Sequence, residues 1–222
     1  MHYIVWSLLL FVLIIIFLFF FQYDVFYKLW AWFLTKFGDI MLSTSPPLVS
    51  AKEMRKAMGI VQAGDVLCRR FDCYLDGFFI PGKYTHSGIM IDEKTIVHSI
   101  AENVQIIDIL DFIKDTDGFI ILRPIYSSEQ DKQLAIDFAK SKIGVPYDFA
   151  FQDGNDAYYC HELTVACLKA GNVIVDRKSN VYLASDIEDK CPRVYESDDP
   201  IFQLKKSSFL SRLFPVRYHP KK

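Results

Sequence analysis

The feature that most constrains this chain is an apolar run close to its N-terminus. Residues 3–21 read YIVWSLLLFVLIIIFLFFF, in which Ser7 is the only strongly polar residue. A helix rises about 1.5 Å per residue, so the run is long enough to cross a hydrocarbon core of about 30 Å. A cleaved signal peptide is the alternative, but no basic segment precedes the run and the run is too long for a signal-peptide core. The sequence therefore predicts an uncleaved transmembrane helix that places residues 3–21 in a lipid bilayer.

Basic residues follow this run and do not precede it. Lys28, Lys36, Lys52 and Arg55 all lie on its C-terminal side. The positive-inside rule then places the bulk of the chain on the cytoplasmic side of the membrane. We therefore expect a single-pass membrane protein with a cytoplasmic domain.

The segment behind the run is rich in aromatic residues and closes with Pro46 and Pro47. Phe26 and Trp30 belong to a pattern at helical spacing, which fits either an interfacial helix at the level of the lipid headgroups or a helix packed on the protein itself. The two prolines interrupt regular structure because each restricts its own backbone and that of the residue before it. The sequence thus divides into an anchor (1–22), an aromatic segment with a linker (23–49) and a globular domain (50–222).

Net charge and cysteine content argue against two classes of protein, nucleic-acid binders and disulfide-rich domains. The formal net charge is −2 at pH 7, so no basic excess indicates nucleic-acid binding. The five cysteines are an odd number with irregular spacing, which favours a reducing environment over a disulfide framework. Cys68 and Cys73 have a spacing that some zinc sites use, but no second pair completes four ligands. The sequence carries no signal for the oligomeric state.

Within the globular domain, short apolar or alternating segments are interspersed with amphipathic ones. Strands are predicted for GDVLCRRF, HSGIMI, TIVHSI, NVQIID and GFIILRPI, and the turn-like DEK joins HSGIMI to TIVHSI as a hairpin. Helices are predicted for AKEMRKAM, ILDFIKD, SSEQDKQLAIDFAKSKIG and CHELTVACLKAG, the first opened by a capping box of Ser50 and Glu53. The pattern predicts an α+β domain in which a small antiparallel sheet carries helices on one side.

One cysteine, Cys160, follows two tyrosines and begins the last of these helices. Its position leaves four interpretations open: a small buried hydrophobe, half of a disulfide, a metal ligand or a nucleophile. A thiol at a helix N-terminus is favoured as the thiolate, since the helix dipole and free backbone N–H groups attract an anion. A nucleophile further requires a base within reach of the thiol and a group that holds the base.

Two histidines on the predicted hairpin meet that requirement. His86 opens HSGIMI, and His98 lies near the end of TIVHSI. Opposed side chains on a hairpin are about 5 Å apart, so His98 is placed to contact and orient His86. With Cys160 they predict a cysteine–histidine–polar triad. The alternative is that both histidines are ordinary residues of the sheet.

Residues 64–171 resemble the permuted papain-like families related to NlpC-type cell-wall peptidases, and within them the YiiX group. The resemblance rests on Gly64–Asp65, on the HSGIMI strand and on GVPYDF…YYCHEL before a helix. It implies a circularly permuted papain-like fold in which Cys160 is the nucleophile and His86 is the base. The order of histidine before cysteine is the signature of the permutation.

The third position departs from the YiiX pattern. YiiX-like members often carry a glutamate on the second strand, whereas VHSI here resembles the lecithin:retinol acyltransferase-like and H-Ras-like suppressor phospholipases, which have a second histidine at this spacing. This resemblance implies that His98 orients His86, in agreement with the hairpin argument. His161 follows the nucleophile, where YiiX relatives usually show serine, and is a further candidate for the base.

The sequence therefore predicts a membrane-anchored cysteine hydrolase or acyltransferase that cleaves an amide or ester through a thioester on Cys160, without a metal or organic cofactor. His86 takes the thiol proton or holds a thiolate–imidazolium pair, and His98 fixes its tautomer. Tyr84 and Tyr158 are near enough in sequence to assist. A lipid, a lipidated protein and a peptide all remain open as substrates. A membrane-tethered binding module with a vestigial site is the competing interpretation.

Overall fold

A computed structural model describes residues 2–21, 23–37, 49–71, 80–152 and 154–197 of the chain. The predicted linker with Pro46 and Pro47 lies outside the described residues, and so do Cys73 of the candidate zinc pair and residues 198–222. The predicted division into an anchor, an aromatic segment and a domain therefore remains a prediction.

Two helices come first, α1 (His2–Phe21) and α2 (Tyr23–Phe37). They contact each other, and the side chains of residues 6–17 of α1 are exposed. Among the described residues, no helix combines the length and the apolar character that a bilayer crossing requires. The helix predicted for residues 3–21 is thus present, but the structure does not support its interpretation as a transmembrane span.

The remaining elements form a six-stranded sheet with helices around it. The strands are β1 (Val66–Arg70), β2 (His86–Met90), β3 (Thr95–Ser99), β4 (Val104–Asp108), β5 (Gly118–Leu122) and β6 (Arg193–Glu196). The helices are α3 (Ala51–Met58), α4 (Ile109–Ile113), α5 (Glu129–Ser141), α6 (Cys160–Ala170) and α7 (Ala184–Lys190). The strand order is β4-β3-β2-β1-β5-β6, and every neighbouring pair is antiparallel. The predicted α+β class with an antiparallel sheet is confirmed.

Local hydrogen bonds explain where the elements near the site begin. The backbone N–H of Ser50 donates to the Glu53 carboxylate over 2.7 Å, and Ser50 Oγ accepts from the backbone of Glu53. This is the predicted capping box of α3. In the turn between β2 and β3, Asp92 Oδ1 accepts from the backbone N–H groups of Lys94 and Thr95, each over 2.8 Å. The predicted hairpin therefore forms around an aspartate that holds its own turn.

The sheet is covered on both faces, because successive side chains of a strand point in opposite directions. On one side, the α6 face, Ile89 of β2 and Val97 of β3 pack with Leu163 of α6. On the other side, the α4 face, Met90 of β2 packs with Phe112 of α4. The prediction of helices on one side only was wrong. Strands that are buried on both faces, such as β5, require cover on each side.

The Gly64–Asp65 pair of the family motif has a structural role. Gly64 has a φ of +86°, and a Cβ there would lie 2.8 Å from the side chain of Lys132. The buried Asp65 carboxylate accepts two hydrogen bonds from Arg123, from Nε over 2.9 Å and from Nη2 over 2.8 Å. The pair therefore links the start of β1 to the segment that follows β5.

Candidate active site

His86 and His98 are joined by a hydrogen bond between His86 Nε2 and His98 Nδ1, 2.9 Å apart. Their rings are nearly perpendicular, at 81° with centroids 5.1 Å apart. The register places Gly88, not His86, directly opposite His98, so the histidines are diagonal neighbours across the hairpin. A Cβ on Gly88 would lie 3.1 Å from the Cβ of His98 and 2.6 Å from Ile96 Cγ2. Because Gly88 has no side chain, the His86 and His98 rings have the space to contact each other.

The histidine pair lies on the α4 face of the sheet, against Phe112. The Phe112 ring centroid is 5.6 Å from the centroid of each imidazole. Arg69, which faces His86 across the β1–β2 pair, lies over the same phenyl ring at 4.2 Å and donates from Nη1 to the Phe112 carbonyl over 2.6 Å. Sequence reasoning missed Arg69 and Phe112, because their contact with the pair depends on the packing of α4.

Burial and neighbouring positive charge keep both imidazoles neutral. Burial and then Arg69 lower the pKa of His98 to about 3. For His86 the pKa is well below its ordinary value, first through burial and then through Arg69, His98 and His161. A neutral imidazole has one free ring nitrogen that accepts a proton. When Nε2 of His86 donates to Nδ1 of His98, the ring nitrogen of His86 that is left to accept a proton is Nδ1.

Cys160 is the first residue of α6 and carries a free, buried thiol. Its Sγ donates to the Thr85 carbonyl oxygen at 3.9 Å, and the backbone N–H groups of Ser87, His161 and Cys160 face the sulfur. Since Thr85 and Ser87 flank His86, the structure brings the thiol to the backbone on both sides of the predicted base. Its hydrogen bond nevertheless goes to Thr85, not to an imidazole nitrogen.

The pKa of the Cys160 thiol is raised, whereas its position at a helix N-terminus predicted a lowered value. Burial raises it to about 11, although the surrounding backbone N–H groups and Arg69 act in the opposite direction. Burial raises the pKa of Cys191 further, to about 12, and also raises that of Cys167. The backbone N–H groups at the helix terminus therefore moderate the pKa of Cys160 without bringing it below the ordinary value, because Cys160 is only 3% exposed.

A second polar cluster lies on the α6 face, directly behind the thiol. The Ser87 hydroxyl oxygen is 2.8 Å from His161 Nδ1, 2.9 Å from Thr164 Oγ1 and 3.3 Å from the Cys160 carbonyl oxygen, to which it donates. Thr164 Oγ1 also donates to that carbonyl, over 3.1 Å. Sequence reasoning named His161 as a candidate base and missed Ser87 and Thr164, which contact each other across 77 residues of sequence.

His161 and Tyr84 are engaged away from the thiol. Burial lowers the pKa of His161 to about 4, and its Nδ1 contacts Ser87. The Tyr84 hydroxyl donates to Glu196 over 3.0 Å, and that carboxylate also accepts from Lys83 over 2.6 Å. The structure thus groups Cys160 with the backbone around His86, pairs His86 with His98, and binds Tyr84 into a separate cluster.

Comparison with known proteins identifies a family and a solved structure with a similar fold. Residues 60–191 match the profile of the family described as "Permuted papain-like amidase enzyme, YaeF/YiiX, C92 family". The chain is also similar to a crystal structure described as metalloprotein yiiX from Escherichia coli O157:H7, with 17% sequence identity, a TM-score of 0.54, and coverage of 64% of this chain and 99% of that one. At this identity the likeness concerns the fold. No curated protein matches the chain.

Proposed function

The chain belongs to the family of permuted papain-like amidases that includes YaeF and YiiX, and on that premise we propose that it is a cysteine amidase or acyl hydrolase with Cys160 as its nucleophile. One observation carries the assignment. The thiol lies on the backbone that flanks His86, while His98 holds Nε2 of the same histidine at 2.9 Å. These contacts support Cys160, His86 and His98 as the nucleophile, the base and the orienting group that covalent catalysis requires.

In the proposed reaction, the thiol turns from the Thr85 carbonyl toward Nδ1 of His86, since hydrogen bonds of a resting active site tighten on substrate binding. His86 takes the proton as the Cys160 sulfur attacks the carbonyl carbon. The backbone N–H of Cys160 stabilises the resulting oxyanion. The bond to the leaving nitrogen or oxygen then breaks, and His86 returns the proton to it. The thioester left on Cys160 is released by water or by an acceptor.

The pKa directions favour proton transfer during the attack over a preformed ion pair. The pKa of His86 is lowered and that of Cys160 is raised to about 11, so the resting pair is a neutral thiol and a neutral imidazole. Of the two alternatives open at the level of the sequence, we therefore propose the general-base mechanism.

A lipid acyl group is the second candidate substrate. It is favoured by a histidine at the third position and by the exposed apolar side chains of α1, among them Trp6 at 69% and Phe11 at 60% exposure. We propose that residues 3–21 attach the protein to a bilayer and that the domain lies on the cytoplasmic side, where the flanking basic residues favour it. Flotation of the full chain with phosphatidylcholine vesicles, compared with a chain lacking residues 2–21, tests this attachment. Equal flotation of both would contradict it.

The fold neighbour is described as a metalloprotein, which raises the question of a metal here. Within the described residues, no group of three or more His, Cys, Asp or Glu side chains is arranged to hold a metal ion. His86 and His98 each use one ring nitrogen for the hydrogen bond between them, at 2.9 Å. The described residues thus offer no set of three ligands, and the proposed reaction is routed through no metal.

Product analysis tests the proposed function. The full chain is incubated with a phospholipid mixture and, separately, with a library of peptide amides, and the products are identified by mass spectrometry. Cys160→Ala should abolish all products, whereas Cys191→Ala, which removes another buried free thiol, should leave them unchanged. Products that persist in Cys160→Ala would overturn the assignment. The absence of products and of any covalent adduct in the unmodified chain would favour the non-catalytic binding module.

A further inference from the structure

We infer that His161 is a positioning residue for the nucleophile, acting through the hydroxyl of Ser87; the inference rests on the proposed function. Ser87 follows His86 on β2, and His161 follows Cys160 on α6. The hydrogen bond between Ser87 Oγ and His161 Nδ1, at 2.8 Å, therefore joins the neighbours of the base and of the nucleophile. This hydrogen bond fixes the distance between the first turn of α6 and the first residue of β2.

The cluster holds the nucleophile by its backbone. The Cys160 carbonyl oxygen accepts from Ser87 Oγ over 3.3 Å and from Thr164 Oγ1 over 3.1 Å. Thr164 is one turn further along α6, so a bond from this residue alone would move with the helix. Ser87 belongs to the sheet, so its bond ties the carbonyl to the strand that carries His86. His161 fixes the orientation of the Ser87 hydroxyl and so keeps that bond in place.

Burial makes the cluster rigid. Ser87 and Thr164 are 0% exposed, and His161 is 2% exposed. A buried polar group that loses its hydrogen-bond partner costs free energy of folding. The side chains of Ser87, Thr164 and His161 and the Cys160 carbonyl therefore hold one arrangement. Because the one proton of the Ser87 hydroxyl goes to the Cys160 carbonyl, His161 donates to Ser87 Oγ from Nδ1, and burial keeps the ring neutral by lowering its pKa to about 4. A serine or an aliphatic residue at this position would not reach the hydroxyl with the same geometry.

The contacts of the two ring nitrogens of His161 distinguish a positioning role from that of a base. Nδ1 of His161 is used by Ser87, and Nε2 is buried with no hydrogen-bond partner among the described residues. A base needs a ring nitrogen at the thiol, whereas a positioning residue needs only the polar atom at Nδ1. Asparagine places its side-chain amide near the position of Nδ1 and has nothing at Nε2. It can therefore replace a positioning histidine, but not a catalytic one.

The test compares His161→Asn, His161→Leu and Ser87→Ala with the unmodified full chain. Ser197→Ala is the matched control, because Ser197 is a buried serine whose Oγ accepts from the Phe119 backbone at the far side of the sheet. Two rates are measured: acylation of Cys160 by p-nitrophenyl acetate, resolved into kcat and KM, and alkylation of Cys160 by iodoacetamide. Thermal unfolding reports whether each variant is folded.

We expect His161→Leu and Ser87→Ala to lower kcat about 10- to 100-fold with KM unchanged, as displacement of a reacting group does. His161→Asn and Ser197→Ala should stay within a few-fold of the unmodified chain. Should His161→Leu fail to fold, Ser87→Ala carries the same expectation.

An inactive His161→Asn beside an active Ser87→Ala would overturn the inference and make His161 the base. Unchanged kcat in His161→Leu or in Ser87→Ala would overturn it as well. If the unmodified chain forms no acyl adduct, the proposed function fails. The iodoacetamide rates then still decide the positioning role, since alkylation needs no turnover.

Discussion

The two sides of strand β2 carry two different histidine clusters. On the α4 face, His86 is half-buried and its ring lies beside those of His98 and Phe112. On the α6 face, His161 is closed off and meets the Ser87 hydroxyl. Burial lowers the pKa of the histidines in both clusters. What differs is access, so we assign proton transfer to the accessible cluster and positioning to the enclosed one.

The largest expected effect in this comparison is that of His86→Ala. It removes the proposed base, so the rate of acyl transfer should fall at least about 10²- to 10⁴-fold, the usual contribution of a general acid–base group. Turnover of p-nitrophenyl acetate measures it. His161→Asn serves as the control from the other cluster. If the control falls as far as His86→Ala, the two clusters do not have separate roles.

Substitution of His98 should have a smaller effect, because the base is then present but loosely held. We expect His98→Ala to lower kcat at the mild end of the same range, about 10²-fold. His98→Gln and His98→Glu each keep a group that can bind Nε2 of His86, and both should retain more activity than alanine. Equal rates for His98→Glu and His98→Ala, or full activity in His98→Ala, would show that His98 is an ordinary sheet residue.

Alkylation of Cys160 by iodoacetamide should depend on pH in the way that a thiol with a raised pKa requires. With a pKa of about 11, the thiolate fraction increases about tenfold per pH unit below that value, so the rate should rise steadily from pH 6 to pH 10. Cys191, with a pKa of about 12, should react more slowly throughout. Mass spectrometry of the labelled peptides measures both rates. A plateau near pH 6 would instead indicate a thiolate–imidazolium pair.

Acid should destabilise the fold through the buried histidines His161 and His98. The folded-state pKa is about 4 for His161 and about 3 for His98, whereas an unfolded histidine titrates near 6.5. The unfolded chain therefore binds protons that the folded chain does not as the pH falls from about 6.5 toward these values. Stability is complete above this window and is lost within it, on the order of 3 kcal/mol for His161.

Urea unfolding at pH 7 and at pH 4.5 measures this loss. His161→Asn has no group that titrates there, so its free energy of unfolding should fall less between the two pH values than that of the unmodified chain. An identical fall in both proteins would mean that the α6-face cluster does not contribute to the acid sensitivity.

Local sequence patterns predicted the elements that hold the candidate site. The turn at Asp92 and the alternation of HSGIMI and TIVHSI predicted the hairpin, and Gly171 marked the end of α6. The meeting of His86 and His98 was foreseen as a direct opposition, but the register makes it diagonal and dependent on Gly88. The direction in which two side chains approach depends on register, which a strand pattern alone does not specify.

Other features depend on contacts between distant segments. Ser87 and Thr164 are separated by 77 residues, and no local signal links a serine after the base to a threonine on the helix. Helix α7 was missed because ASDIEDK carries few apolar residues from which a period can be read. The raised pKa of Cys160 was missed for a related reason, since burial by the whole fold outweighs the helix terminus.

The most direct test of the account is to map the acyl group on the full chain after brief exposure to p-nitrophenyl acetate. The account predicts one acetyl group on Cys160 that hydroxylamine removes, as it does a thioester. The same adduct should form at a much lower rate in His86→Ala. An acetyl group on a different residue, or an adduct on Cys160 that forms equally fast without His86, would contradict the assignment of Cys160 and His86 as nucleophile and base.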